Sequence, residues 1–154
     1  MADPRWLDDR QQRAWRGHLA MQARLHAQLN RRLQADSGLS LSDFDVLVAL
    51  SEAHDGPMRV QELADHVQWE KSRLSHQLSR MERRGLLERQ DCPDDARGAF
   101  VVLSTAGRSA IERAAPAHVE AVQSLVFDGL DDAQVRTWAD ITDAVLARVD
   151  GAPG

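Results

Sequence analysis

Apolar residues recur every three or four positions along the first part of the chain, and this spacing predicts one long helix over residues 5–35. Asp36-Ser37-Gly38 is expected to end it. Trp15, Leu19, Leu29 and Leu33 belong to this stripe. The neighbouring sequence offers little to cover so long an apolar face. The helix is therefore expected to need a partner surface.

A second helix is expected to open at Ser42, where the sequence Ser42–Asp45 has the form of a capping box. Phe44 and Leu47 would lie on its core face. Residues 58–60 follow as a short extended piece.

A short helix over residues 60–67, a turn at 68–70 and a helix over 71–84 are predicted next. The apolar positions of this last helix follow the spacing i, i+4, i+7, and they are Leu74, Leu78 and Met81. Gly85 is suited to end it, because glycine readily adopts the left-handed conformation that follows a helix.

The opposite face of the 71–84 helix carries hydrogen-bond donors of the kind that contact DNA. Arg73 can fork onto a guanine, Gln77 can pair with an adenine, and Ser75 can bond to either. The residues expected to face bases or the groove are Ser72, Arg73, Ser75, His76 and Gln77. Those expected to meet phosphates are Lys71, Arg80 and Arg83. An ordinary solvated helix could carry the same residues, so the elements around it decide between the two interpretations.

Two strands are predicted at residues 86–90 and 99–103, with a turn-rich hairpin tip between them. Ser104 then caps a helix that runs to about residue 127, and a last helix covers about 132–149. The predicted fold is mainly α-helical with a small β-hairpin.

Composition fits one globular domain over residues 1–154, with 43% apolar and 28% charged residues. No apolar run approaches the length of a membrane span, the first residues do not resemble a signal peptide, and Cys92 has no partner for an internal disulfide. A cytoplasmic protein without membrane contact is expected.

The net charge of −5 argues against a simple basic nucleic-acid binder. However, the acidic excess lies mainly in the C-terminal third, and six positive but only two negative residues lie between Lys71 and Arg89. Salt screens distant charges, so this local basic face can still attract phosphates.

The chain contains none of the common catalytic signatures: no nucleophile elbow, P-loop, dinucleotide-binding glycines or zinc-protease motif. Its histidines are not paired at i, i+4, and it has no Cys/His cluster with zinc spacing. We therefore expect no enzyme, no catalytic residue, no metal and no cofactor.

Several short motifs in order resemble the MarR family of winged-helix transcription regulators. They are Val60–Ala64, Ser72–Arg89, Asp95-Ala96-Arg97 and Leu103–Gly107. The resemblance is strongest over residues 41–108. It implies a winged helix-turn-helix lobe at 41–107, flanked by long N- and C-terminal helices at 5–36 and 108–150 that form a dimerisation lobe.

The same resemblance implies a homodimer that binds a palindromic double-stranded DNA operator, most often as a repressor. It also implies that Arg97, at the tip of the wing, enters the minor groove. Asp95 would hold Arg97 in position through a local ion pair.

Members of the family are often released from DNA by a small aromatic or anionic ligand. Trp15, His18, Gln22 and His26 lie on one face of the first predicted helix and are candidates for the wall of such a pocket. The alternative, a dimer interface with satisfied polar groups, is the favoured interpretation. Trp69 either lines the same pocket or packs against the turn.

Two alternatives stay open. A winged-helix protein can serve as a protein-interaction scaffold without DNA binding, and Cys92 can act as a thiol-based redox sensor. The donor-rich helix argues against the scaffold, and the acidic residues around Cys92 argue against a reactive thiolate.

Overall fold

The computed structural model describes residues 3–53, 56–91 and 98–152, which form a mainly α-helical fold with a small sheet, as predicted. The helices are α1 (Asp9–Ser37), α2 (Leu41–Glu52), α3 (Val60–Val67), α4 (Lys71–Arg83), α5 (Thr105–Leu125) and α6 (Asp132–Asp150). The strands are β1 (Met58–Arg59), β2 (Leu87–Asp91) and β3 (Ala99–Leu103), and a short 3₁₀ helix covers Phe127–Gly129.

The chain divides into two compact units, Met1–His118 and Val119–Gly154. The first unit contains the hydrophobic core and the sheet. In the second unit the rings of Phe127 and Trp138 lie 6.1 Å apart. Asp131 caps α6, since its side chain accepts the backbone N–H of Gln134 at 2.8 Å.

Helix α1 begins later than the apolar spacing predicts. Asp8 and Gln11 form a reciprocal capping box that fixes the start at Asp9. At the other end Gly38 adopts the left-handed conformation (φ 72°) and donates its N–H to the carbonyl of Gln34, so the predicted stop is confirmed.

Helix α2 begins at Leu41, and the prediction of a capping box at Ser42–Asp45 was wrong. The same residue pattern occurs two positions earlier, and there both bonds form. The Asp43 N–H donates to Ser40 Oγ at 3.0 Å, and the Ser40 N–H donates to Asp43 Oδ2 at 2.9 Å. The earlier start also places Leu41 within the core.

The sheet has three antiparallel strands in the order β1-β3-β2. β2 and β3 form the predicted hairpin, with Leu87 opposite Leu103 and Asp91 opposite Ala99. β1, predicted as a short extended piece over residues 58–60, pairs with β3 through Met58 and Val101. This pairing anchors the middle of β3 to the start of α3.

The core of the first unit lies between α2, α3, α4 and the sheet. Its most deeply buried side chains belong to all of these elements, and they include Val46, Leu47, Leu63, Leu74, Leu78, Met81, Leu87 and Val101. Full burial of one such side chain is worth about 1.5–3 kcal/mol. The helix-turn-helix and the hairpin therefore rest on one shared core.

The start of α5 packs tightly against the end of α4. Ser104 Oγ donates to the Gly85 carbonyl at 2.6 Å and accepts the Gly107 N–H at 2.9 Å. A Cβ atom at Gly107 would lie 1.9 Å from the Leu86 carbonyl oxygen. A side chain at this position cannot be accommodated without moving the backbone.

We expect Gly107→Ala to lower the free energy of unfolding by about 3 kcal/mol, because the new methyl group collides with a backbone carbonyl. Gly17→Ala is the matched control, since Gly17 lies within α1 and a Cβ there has no neighbour within 4 Å. That change should stabilise the helix by about 0.5–1 kcal/mol. Urea denaturation of both variants measures the difference, and similar stabilities would contradict the close approach.

Candidate nucleic-acid interface

The turn between α3 and α4 is set by a left-handed residue. Gln68 has φ 56°, and the backbone N–H groups of Gln68 and Trp69 both donate to the carbonyl of Ala64. Left-handed backbone is costly for a residue with a side chain. This tight turn leaves only residues 68–70 between the end of α3 and the start of α4.

Helix α4 buries one face and exposes the other, as its sequence predicts. Leu74, Leu78 and Met81 are completely buried, and Gly85 (φ 75°) follows the end of the helix in the left-handed conformation. The exposed polar side chains of α4 include Lys71, Ser72, Arg73, Ser75, His76, Arg80 and Arg83. The structure thus gathers seven of the predicted DNA-contacting residues on the solvent side of one helix.

Gln77 is the exception, and its predicted outward position was wrong. It is only 4% exposed, and its side-chain amide donates to Oδ1 of Asp43. Its side-chain oxygen accepts a hydrogen bond from Arg80. Position 77 borders the apolar stripe formed by Leu74 and Leu78. Its side chain can therefore turn inward, because Asp43 of α2 supplies a hydrogen-bond partner there.

Asp43 is the buried anion beneath the interface. It is 3% exposed, and its Oδ2 atom accepts Nη1 of Arg84 at 2.7 Å in addition to the Ser40 N–H. Arg84 also donates from Nη2 to the carbonyl of Gly38 at 3.1 Å. This single carboxylate therefore joins the α1–α2 corner to Gln77 within α4 and to Arg84 at its end.

Arg73 stacks on the turn rather than extending freely into solvent. Its guanidinium lies 4.1 Å from the centre of the Trp69 ring, a cation–π contact. Trp69 is half-buried and packs against the core. Of the two interpretations of Trp69, this packing favours the turn, and the indole also restricts the positions open to Arg73.

A second ion pair ties α4 to the hairpin. Glu82 accepts the backbone N–H, Nε and Nη2 of Arg89 at 3.0, 3.1 and 3.0 Å, and Arg89 Nη2 also donates to Ser79 Oγ at 3.0 Å. The backbone hydrogen bond from Arg89, followed by its side-chain bonds, lowers the pKa of Glu82. No local sequence pattern indicated this pair, because its residues belong to different elements.

A basic cleft lies beside the N-terminus of α4. It has a volume of about 470 Å³ and is lined by residues of α3, α4 and the hairpin strands. Its polar lining residues are Arg59, Gln61, Lys71, Ser75 and Arg89. The sequence analysis did not single out Arg59 and Gln61, which lie before α4 in the chain and border it only in the folded structure.

The predicted wing-tip residues Arg97 and Asp95, and the candidate redox residue Cys92, lie outside the described residues. Gly98, the first described residue after them, borders the basic cleft. The hairpin strands therefore lead from the α4 surface toward the predicted wing tip.

The predicted ligand-pocket residues do not form one group. Trp15 and His18 stack at 5.6 Å between ring centres on an exposed part of α1, and Gln22 on the same helix is exposed as well. Trp69 belongs to the α3–α4 turn instead. Among these α1 residues, His26 lowers the pKa of Asp45 through its charge. Asp45 lies beside a separate crevice.

This crevice, of about 300 Å³, lies between α2, α3 and α5 and is lined by Phe44, Asp45, Val48, Ala49, His66, Val67 and His118. The His118 ring lies 4.3 Å from the Phe44 ring, and its Nδ1 atom is buried without a hydrogen-bond partner. Desolvation lowers the pKa of His118, opposed by the nearby Asp45 charge. Desolvation raises the pKa of Asp45, opposed by the charges of His26, His118 and Arg73.

Within residues 3–53, 56–91 and 98–152, no group of three or more His, Cys, Asp or Glu side chains is placed to hold a metal ion. None of the helices that the structure describes has the length and apolar character needed to cross a membrane.

The family model described as "MarR family" matches residues 37–98, which contain α2, α3, α4 and much of the hairpin. AbsC, a MarR family transcriptional regulator from Streptomyces coelicolor, is 37% identical with a TM-score of 0.87, over 97% of this chain and 100% of that one. The chain belongs to the MarR family of transcriptional regulators. Membership confirms the predicted resemblance and identifies a regulator rather than an enzyme.

Two further MarR structures resemble this chain and were solved with DNA. Sco3205 from Streptomyces coelicolor, in complex with DNA, is 36% identical with a TM-score of 0.87, over 98% of this chain and 94% of that one. A mutant MarR from E. coli, complexed with operator DNA, is 24% identical with a TM-score of 0.77, over 85% and 91%, and shares the fold. No curated protein matches the chain.

Proposed function

We propose that this MarR family regulator binds double-stranded DNA sequence-specifically, as a homodimer on a palindromic operator, and represses transcription. The observation that carries the proposal is the exposed polar face of α4. Seven donor-bearing side chains lie there, while the opposite face is fixed by the core and by Asp43. A rigid helix with this surface fits the major groove.

Base contacts are assigned to Ser72, Arg73, Ser75 and His76, which lie in the N-terminal half of α4. Gln77 is no longer included, because its amide is already used inside the protein. Phosphate contacts are assigned to Lys71, Arg80 and Arg83. The DNA complex of Sco3205, a relative 36% identical over nearly the whole chain, supports DNA as the partner.

The wing contributes a second contact in this proposal. Arg97 would enter the minor groove beside the site read by α4, and Asp95 would orient it. The hairpin strands support this assignment, because β2 is anchored to α4 through Glu82–Arg89 and β3 is paired with β1.

A second copy of the chain is the proposed partner of the terminal helices. α6 leaves Ile141, Val145, Leu146 and Val149 at least half exposed, and α1 leaves Trp15 53% exposed. Apolar surface at this density on two helices is typical of an interface between subunits. A twofold dimer would place its two α4 helices on half-sites about 34 Å apart.

Release by a small aromatic ligand is the proposed regulatory step, and the crevice beside Phe44 and His118 is its proposed site. The crevice combines apolar walls with a buried, unpartnered ring nitrogen on His118. The lowered pKa of His118 keeps its ring neutral near pH 7, and Asp45 supplies a negative charge. These properties favour an uncharged aromatic ligand over an anionic one.

Arg73→Ala should weaken binding to the preferred DNA sequence by about 1–3 kcal/mol and relax sequence preference, because a bidentate contact to guanine is lost. The preferred sequence is first selected from a genomic DNA pool, and affinities are then measured by gel shift at about physiological salt. Arg83→Ala is the control and should weaken all sequences alike. Uniform weakening by Arg73→Ala would reassign that residue to a phosphate. Absence of any salt-sensitive DNA binding by the unmodified protein would favour the protein-interaction scaffold.

Val145→Glu should dissociate the dimer, because it places a charge in the centre of the exposed apolar stripe of α6. Ala147→Glu adds the same charge on the opposite side of the helix and should leave the dimer intact. Sedimentation equilibrium measures the subunit mass of each variant. An unmodified protein that sediments as a monomer at micromolar concentration contradicts the dimer.

Benzamide and benzoate should both raise the melting temperature and weaken DNA binding. Benzamide should do so at a lower concentration, because Asp45 repels the carboxylate of benzoate. Asp45→Asn should reduce this preference by about two- to fivefold, the effect of one partly exposed charge. Glu52→Gln, a charge change at the end of α2 outside the crevice, is the control. Thermal unfolding and gel shift provide both readings, and an unchanged preference in Asp45→Asn argues against ligand binding in this crevice.

A further inference from the structure

The side chain of Gln77 connects a buried anion to an exposed cation. Its amide nitrogen donates to Oδ1 of Asp43, and its oxygen accepts from Nη2 of Arg80. Asp43 and Gln77 are buried, whereas Arg80 is exposed on the surface of α4. The three side chains form a hydrogen-bonded chain that runs from the interior to the face proposed to contact DNA.

The chemistry at both ends fixes the direction of this chain. An ionised carboxylate only accepts hydrogen bonds, so Gln77 must turn its NH₂ group toward Asp43. Its oxygen then faces Arg80, and a guanidinium only donates. The amide therefore has one orientation that satisfies both neighbours. Asp43 is itself held by the Ser40 N–H and by Arg84, so the origin of the chain is rigid.

Ordering of Arg80 before binding has a direct consequence for affinity. A long side chain that becomes immobile on binding loses about 0.5–1.5 kcal/mol of rotamer freedom. In the free protein Arg80 is already restrained by Gln77, so part of this cost is met when the protein folds. At metal sites, groups that orient a ligating side chain change affinity about 10–100-fold without touching the metal, and Gln77 stands in the same relation to Arg80.

We propose that Asp43 and Gln77 are positioning residues that hold Arg80 in place for a DNA phosphate. This inference rests on the proposed DNA-binding function and assigns no base contact to Gln77. Gln77, which the sequence predicted to pair with an adenine, instead orients Arg80 for its contact with a phosphate. The expected consequence is that the effect of changing Gln77 on DNA binding depends on the presence of Arg80.

A double-mutant cycle tests this dependence. Gln77→Met keeps an unbranched side chain of similar length but removes the amide. It should weaken DNA binding about fivefold or more in the unmodified protein, and less than about twofold when Arg80→Ala is already present. Affinities are measured by fluorescence anisotropy with the selected operator and with an unrelated duplex. The loss should be similar on both, since a phosphate contact is independent of sequence.

Stability is measured in parallel, because Gln77→Met leaves a buried oxygen of Asp43 with one donor fewer. All titrations are made at a temperature where circular dichroism shows each variant folded. Val101→Ala, a change in the sheet core, is the control for lost stability and should leave DNA affinity unchanged. Equal weakening by Gln77→Met with and without Arg80, or no weakening at all, overturns the proposal.

A second pair of variants avoids the buried position. Arg80→Lys keeps the charge but loses the guanidinium that Gln77 holds, whereas Arg83→Lys changes an exposed arginine three positions further along the same helix. The loss of affinity at position 80 should exceed that at position 83 by about threefold. Equal losses contradict a special role for Arg80. If the unmodified protein binds no DNA, the proposed function fails before this comparison is reached.

Discussion

The buried carboxylate of Asp43 is the interaction on which the arrangement of the interface depends. An ionised carboxylate taken out of water costs several kcal/mol unless hydrogen bonds and opposite charge offset the loss. Here the offset comes from the Ser40 N–H, the Gln77 amide and the Arg84 guanidinium. Two segments, the α1–α2 corner and α4 with its C-cap, must therefore converge on one carboxylate. Because a misplaced partner would leave a buried charge unpaired, the position of α4 relative to the α1–α2 corner is strongly specified.

This constraint also decides which side chains of α4 are available to DNA. The core holds Leu74, Leu78 and Met81, and the Asp43 network takes Gln77 from the outward set. On the other side, Glu82 binds Arg89 and ties the helix to the hairpin. The side chains of α4 that remain exposed therefore lie on a helix fixed by Asp43 on one side and by Arg89 of the hairpin on the other. Arg73 is restrained even on that face by its stacking on Trp69. A reading surface with so little freedom suits discrimination between similar DNA sequences, because little order has to be created on binding.

The remaining surfaces separate the proposed tasks of the protein. The exposed apolar residues of α1 and α6 lie outside the helix-turn-helix, where a second copy would set the spacing of two α4 helices. The crevice between α2, α3 and α5 has a different character, with apolar walls, two histidines and one carboxylate. Asp43 and Asp45 are close in sequence and lie on the same helix. One belongs to the network beneath α4 and the other to the crevice, so α2 borders both the proposed DNA-reading and ligand-binding regions.

The sequence alone determined the elements whose signals are local. Apolar spacing located the helices, Gly38 and Gly85 marked two helix ends, and the order of motifs identified the family. The face of α4 was predicted correctly where periodicity governs it, at Leu74, Leu78 and Met81. Tertiary structure alone decided the role of Gln77, since its partner Asp43 lies 34 residues away and at the edge of the stripe periodicity does not assign a side. It also paired β1 with β3 and brought Arg84 to Gly38. Each of these depends on a polar group finding a partner distant in sequence, and a buried polar group is satisfied only by the groups that folding brings beside it.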